Sequence, residues 1–89
     1  MSRRYRVEFT TAAAREVRKL DVPVRRRILD GISALAQEPR PARARKLAGQ
    51  ADAWRIRVGD YRVLYEVFDE TVLVTVFRVA HRSKVYDRL

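Results

Sequence analysis

The stretch from Trp54 to Val67, WRIRVGDYRVLYEV, leaves the chain little choice of local structure. Apolar and polar residues alternate, break at Gly59-Asp60 and alternate again, the pattern of an antiparallel hairpin closed by a two-residue turn. Such a turn fixes the register: Val58 opposite Tyr61, Arg57 opposite Arg62, Ile56 opposite Val63, Arg55 opposite Leu64. Side chains change face at every residue, so Trp54, Ile56 and Val58 share one face with Tyr61, Val63 and Tyr65. Arg55, Arg57 and Arg62 gather on the other. Like charges directly opposite each other on a sheet are destabilising, by something on the order of 0.2–1 kcal/mol per pair. A sequence shaped for folding alone would avoid setting Arg57 against Arg62. The pair points to an anion, most naturally a phosphate, between the guanidinium groups. The competing account is a solvated basic face balanced by carboxylates such as Asp60 and Glu66.

The segments on either side can be placed around this hairpin. Arg4 to Thr10 alternates Tyr5, Val7 and Phe9 with Arg4, Arg6 and Glu8, a half-buried first strand. Thr10 or Thr11 can cap a helix in which Ala13, Val17 and Leu20 form the apolar stripe. Asp21-Val22-Pro23 breaks it and starts a second helix, with Asp21 as cap. There Val24, Ile28, Ile32 and Leu35 recur at helical spacing, and the helix should end before Pro39. Two helices joined this tightly form an antiparallel α-hairpin. The run Arg25-Arg26-Arg27 reads as its solvated side. Glu38 to Asp52 is a connecting segment that carries Arg40, Arg43, Arg45 and Lys46 as a basic lip, with Leu47 as its apolar anchor. After a second turn at Asp69-Glu70, Thr71 to Ala80 is the last strand. A two-residue turn there would set Val72, Val74 and Val76 opposite Val67, Tyr65 and Val63. Leu73, Thr75 and Phe77 would then lie on the arginine face. The tail His81 to Leu89 could fold back over that face. The fold class expected is α+β: a two-helix hairpin packed on one face of a mainly antiparallel four-stranded sheet, in the order β-α-α-β-β-β, with a short C-terminal segment.

At 89 residues the chain is expected to form one domain, residues 1–89. It has no cysteine and one histidine, too few ligands for a metal site of those residues. No apolar run reaches the roughly 18–20 residues of a transmembrane helix, and no signal-peptide pattern follows Met1, so the cytoplasm is the expected compartment. The net charge of +9 favours polyanionic partners, nucleic acid first among them. An acidic protein would satisfy the charge equally well. A membrane surface is disfavoured, because the basic residues are spread along the chain.

The succession of strand, two helices and a three-strand meander, carrying WRIRVGDYRVLYEV and a terminal VAHRSKVYDRL, resembles the RelE/ParE superfamily of bacterial toxins. The similarity is densest at Lys46-Leu47 with Gly49, at Trp54 to Val67 and at Val79 to Tyr86. An arginine after the last strand and a tyrosine shortly after it, Arg82 and Tyr86, make the chain similar to the RelE branch. That resemblance implies the toxin of a type II toxin–antitoxin system: an endoribonuclease, or mRNA interferase, that enters the ribosomal A site and cuts the mRNA there. The reaction it implies uses no metal and no other cofactor. The ribose 2′-hydroxyl attacks the adjacent phosphate in line, leaving a cyclic phosphate and a free 5′-hydroxyl. The implied partners are a cognate antitoxin, in a toxin–antitoxin hetero-oligomer, and the ribosome with its mRNA.

Carried over by position, Arg62 matches the hairpin arginine that would hold the phosphate. Arg82 matches the arginine that would stabilise transition-state charge or assist the leaving group. Tyr86 matches the tyrosine that would orient the nucleotide. Arg55 and Arg57 stand where the best-known members carry two lysines. Arginine cannot give up its proton in a protein, so Arg57 can bind phosphate in a bidentate manner but is a poor general base. His81 is the natural substitute, the one side chain here that normally titrates near neutral pH; the bland account is a strand-end histidine satisfied by backbone. Arg55, Arg45 and Lys46 would contact RNA. Two other readings stay open: a ParE-like inhibitor of DNA gyrase, and a catalytically weak binding module of the same fold.

Overall fold

The computed structural model describes residues 4–85. Strand β1 (Arg6–Phe9) leads into helix α1 (Thr11–Arg18), then helix α2 (Val22–Ala34). Strands β2 (Arg45–Lys46), β3 (Ala53–Val58), β4 (Tyr61–Phe68) and β5 (Leu73–His81) follow. The five strands form one sheet in the order β1-β5-β4-β3-β2, antiparallel except where β1 runs parallel to β5. The α+β class and the helix pair on one face are as the patterning predicts. The strand count is not: the fifth strand is β2, two residues of the connecting segment that pair Arg45 with Arg55 and Lys46 with Trp54. So short and so charged a stretch carries no alternation to read.

The core lies between helices and sheet. Ala13 and Val17 of α1, Ile28 and Ile32 of α2, and Leu35 at the α2 C-cap pack on Ile56, Val63, Tyr65, Val67, Val74, Val76 and Val79. Trp54, Val58 and Tyr61 join them, which places the hairpin aromatics under the helices as their register predicts. Thr10 caps α1, its Oγ1 accepting the Ala13 N–H at 3.1 Å. Asp21 holds the N-cap position of α2 without a side-chain capping bond; Pro23 in the first turn removes a donor that would need one. Arg25 is not solvated with its neighbours. Its Nη2 donates to the Leu20 carbonyl at 2.9 Å and closes the end of α1.

The β4–β5 turn departs from expectation. Four residues, Asp69 to Val72, separate the paired Phe68 and Leu73, so Val67 lies opposite Val74 and Tyr65 opposite Val76. A register shift follows: Leu64 pairs with Arg78 and Val63 with Val79, which leaves Phe77 as the extra residue of a bulge. The turn holds Val72 at φ +52°, a left-handed conformation that a β-branched residue adopts only under strain. Val72→Gly should therefore raise stability by about 0.5–1 kcal/mol, the relief of strain outweighing the lost side-chain burial. A urea melt with an unchanged slope and a higher midpoint is the expected result.

At the end of the sheet farthest from Gly59-Asp60, Asp69 gathers the connecting segment. Tyr5 donates to its Oδ1 at 2.6 Å, and both terminal nitrogens of Arg40 bind its carboxylate, at 3.2 and 2.8 Å. The carboxylate holds the Arg40 guanidinium further above its usual range. The guanidinium carbon also lies 5.6 Å from the Trp54 ring centroid. Arg40 thus belongs to a structural clasp and not to a free basic lip.

Candidate functional site

The hairpin turn is built as its sequence requires. Gly59 takes φ +59° at the first central position, the conformation of a type II′ turn, whose twist matches the strands it joins. The register of the hairpin is the one that turn predicts, down to Arg57 opposite Arg62. Residues paired this way carry Cβ atoms about 5 Å apart on one face. That face has no helix on it. Arg55 lies two pairs further along, opposite Leu64, and Arg45 beside it on β2.

The same face carries a second, smaller apolar cluster. Leu64, Ala80 and Val85 are buried, with Leu47 and Phe77 packed against them. Val85 is fully inaccessible to solvent, so the chain beyond β5 folds back over this face as the tail reading allows. Tyr86, the next residue, lies outside the described residues. Leu47 anchors the connecting segment here, as expected.

Arg82 stands just beyond β5, tied to the hairpin turn. Its backbone N–H donates to the Asp60 carbonyl at 2.7 Å, and its Nε lies 3.9 Å from Asp60 Oδ1. Both side chains are about two-thirds exposed, so this ion pair is weak and an incoming phosphate can displace it. Arg57 and Arg62, paired across the hairpin, and Arg82, beside Asp60, thus all lie near the Gly59-Asp60 end of the sheet. Arg62 leans on that turn, its Nη1 3.4 Å from the Gly59 carbonyl and 3.1 Å from its neighbour's, Tyr61. Arg45 turns back on its own segment, donating to the Ala42 and Ala44 carbonyls at 3.1 Å. Lys46, paired with Trp54, falls on the alternate position and so on the opposite face of the edge strand. The two RNA-contact candidates of the lip are therefore separated.

His81 is placed away from the arginines. The bulge at Phe77 advances the alternation of β5 by one, so Val79 and His81 point to the helix side and Ala80 to the arginine side. His81 pairs with Tyr61, the two rings meeting edge to face at 5.4 Å. Its Nδ1 accepts the Ser83 N–H at 3.2 Å and lies 2.9 Å from the Ser83 hydroxyl. In the tautomer that accepts this N–H, the lone pair of the neutral ring is engaged by the chain's own backbone. His81→Gln should change the cleavage rate less than about threefold and leave its pH profile in place, against the 10²–10⁴-fold a general base contributes. Single-turnover rates across pH 5–8 check this.

Sequence reasoning passed over two residues. Arg78, set by the bulge opposite Leu64, donates from Nη2 to the Lys84 carbonyl at 3.1 Å. Glu16 on α1 accepts the Val79 N–H at 2.7 Å, and its other oxygen lies 3.7 Å from Arg78 Nε. Val74, Val76 and Val79 share the helix side at spacings of two and then three, but Leu73 and Phe77 are apolar as well, so the sequence alone does not single out the bulge.

Comparison with known proteins sets this geometry among relatives. Residues 7–86 match the family model described as the ParE toxin of type II toxin–antitoxin systems. The chain is 38% identical to Toxin RelG of Mycobacterium tuberculosis over 94% of its own length and 98% of that protein. It is 36% identical to the mRNA interferase toxin RelE of Escherichia coli K12, over 92% and 90% respectively. Its fold superposes on the toxin–antitoxin complex RelBE2 of M. tuberculosis with a TM-score of 0.79 at 32% identity, covering 91% of this chain and 94% of that one. The intact E. coli RelBE complex gives 0.77 at 34% identity, covering 86% and 95%.

Proposed function

The chain belongs to the ParE toxin family of type II toxin–antitoxin systems and is a RelE-like toxin within it, and from that premise we propose that it is an mRNA interferase acting on the ribosome. The observation that supports this reading best is the pairing of Arg57 with Arg62 on the helix-free face, with Arg82 tethered at the same end. Arg57 and Arg62 hold the scissile phosphate between them. The ribose 2′-oxygen attacks phosphorus in line and the bond to the 5′-oxygen breaks, giving a cyclic phosphate and a free 5′-hydroxyl. Charge that builds on the phosphate is taken up by fixed guanidinium groups, with no metal ion in the step. Arg82 steadies the leaving 5′-oxygen, which takes its proton from water, and Tyr86 orients the nucleotide. With His81 turned towards Tyr61, the 2′-hydroxyl gives its proton to water. Rate then comes chiefly from positioning and charge. Arg55 extends the cationic track along the message.

The partner that restrains this activity is a cognate antitoxin, for which a chain of net charge +9 is complementary to an acidic or amphipathic segment. Primer extension on messages after induced expression tests the reading. Cuts inside codons of translated messages are expected. DNA breaks or relaxed plasmids without RNA cuts would instead make the chain a gyrase inhibitor.

A further inference from the structure

We propose that Glu16 and Arg78 form a positioning pair that holds the segment after β5 over the arginine face, and that cleavage depends on it. This rests on the nuclease reading above. β1 pairs with β5 only from Leu73 to Val76, so the outer edge of β5 is open at Val79. Glu16 reaches that edge from α1: one carboxylate oxygen takes the orphan Val79 N–H, and the other faces Arg78 Nε. The Phe77 bulge is what presents Arg78 here, out of the plain alternation of the strand. Facing the Glu16 carboxylate at 3.7 Å, an ion pair without a hydrogen bond, the Arg78 guanidinium donates from Nη2 to the Lys84 carbonyl on the other side. Lys84 lies between Arg82, tethered to Asp60, and Val85, buried on Leu64 and Ala80. The clamp thus pins the middle of a short segment whose ends are the site's third arginine and the residue preceding Tyr86. Arg78 and Glu16 are positioning residues; neither needs to touch the phosphate. A displacement of about 1 Å at a reacting group costs on the order of a hundredfold in rate, so a hydrogen bond remote from the phosphate can matter to the chemistry.

Two measurements on Arg78→Ala and Glu16→Gln decide it. Glu16→Gln keeps an oxygen for the Val79 N–H and removes the charge that orients Arg78, so it should fold with a melting temperature only slightly below the parent's. Amide exchange at Arg82 and Lys84 should quicken in both variants, with the core strands unchanged. On ribosomes programmed with a short message, kcat should fall by roughly ten- to a hundredfold while KM moves less than about threefold. Unchanged exchange in both variants would overturn the clamp. Faster exchange with kcat intact would overturn its role in positioning. A parent protein that cuts no message would fail the nuclease reading instead, and the exchange data would still decide whether the clamp exists. Should Arg78→Ala not fold, Glu16→Gln carries both measurements.

Discussion

Arg62→Ala should lose mRNA cleavage by a factor of about 10²–10³ while folding as stably as the parent, or slightly more so. The two halves of this expectation come from one piece of geometry. Arg62 and Arg57 are direct cross-strand partners, and their repulsion is relieved when one is removed, by something on the order of 0.2–1 kcal/mol. Against this stand the contacts of the Arg62 stem and its bonds to the Gly59 and Tyr61 carbonyls, at 3.4 and 3.1 Å. The net change in stability is therefore small. The rate has no such compensation, because a preorganised cation aimed at developing charge is typically worth the larger factor. A side chain kept for folding would show the reverse pattern. The measurements are thermal melts of purified protein beside single-turnover cleavage on programmed ribosomes, with growth arrest on induction as the cellular readout. Wild-type cleavage by Arg62→Ala would remove the phosphate from between this pair. A collapse in stability would make Arg62 a structural residue.

The arginine pair was readable because everything that places it is local. A glycine at the turn, a two-residue loop and strict alternation fix Arg57 against Arg62 without reference to the rest of the chain. The same reasoning fails at the next turn, where Asp69 to Val72 makes a longer loop around a strained Val72. It fails again at Phe77, where one extra residue exchanges the faces of everything beyond. Carried on without the bulge, alternation would put His81 among the arginines; with it, His81 meets Tyr61 edge to face. The parallel docking of β1 on β5, and the pairing of Arg45-Lys46 with β3, are long-range contacts with no local signature. Glu16 illustrates the limit well. From its helix it reads as an outward, solvated residue, and only the open edge of β5 gives its carboxylate a purpose.

Tyr65→Phe should cost about 1–3 kcal/mol near neutral pH, and the difference should shrink as the solution is made alkaline. Tyr65 is fully buried, and its hydroxyl donates to the Pro39 carbonyl at 2.7 Å. Phenylalanine fills the same space but leaves that carbonyl, on a buried residue, without its partner. The bond ties the connecting segment to the sheet, so its loss should also loosen the run that carries Arg43 and Arg45. Burial pushes the phenol up to about 12 from its usual 10; the nearby Arg40 and Arg43 charges oppose the shift and do not cancel it. The folded state therefore keeps this proton over a range in which the unfolded chain has lost it. Stability from this source is intact below about pH 10 and drains away between pH 10 and 12, by up to about 3 kcal/mol. Phenylalanine has no proton to lose, so the variant's own decline over that window should be shallower by this amount, and the two curves should converge. Urea melts at stepped pH give both curves, and difference absorbance of the phenolate should show one of the parent's four tyrosines ionising late. Parallel curves across pH 10–12 would mean that Tyr65 reaches solvent, and that its bond to Pro39 does not anchor the segment beside the arginine face.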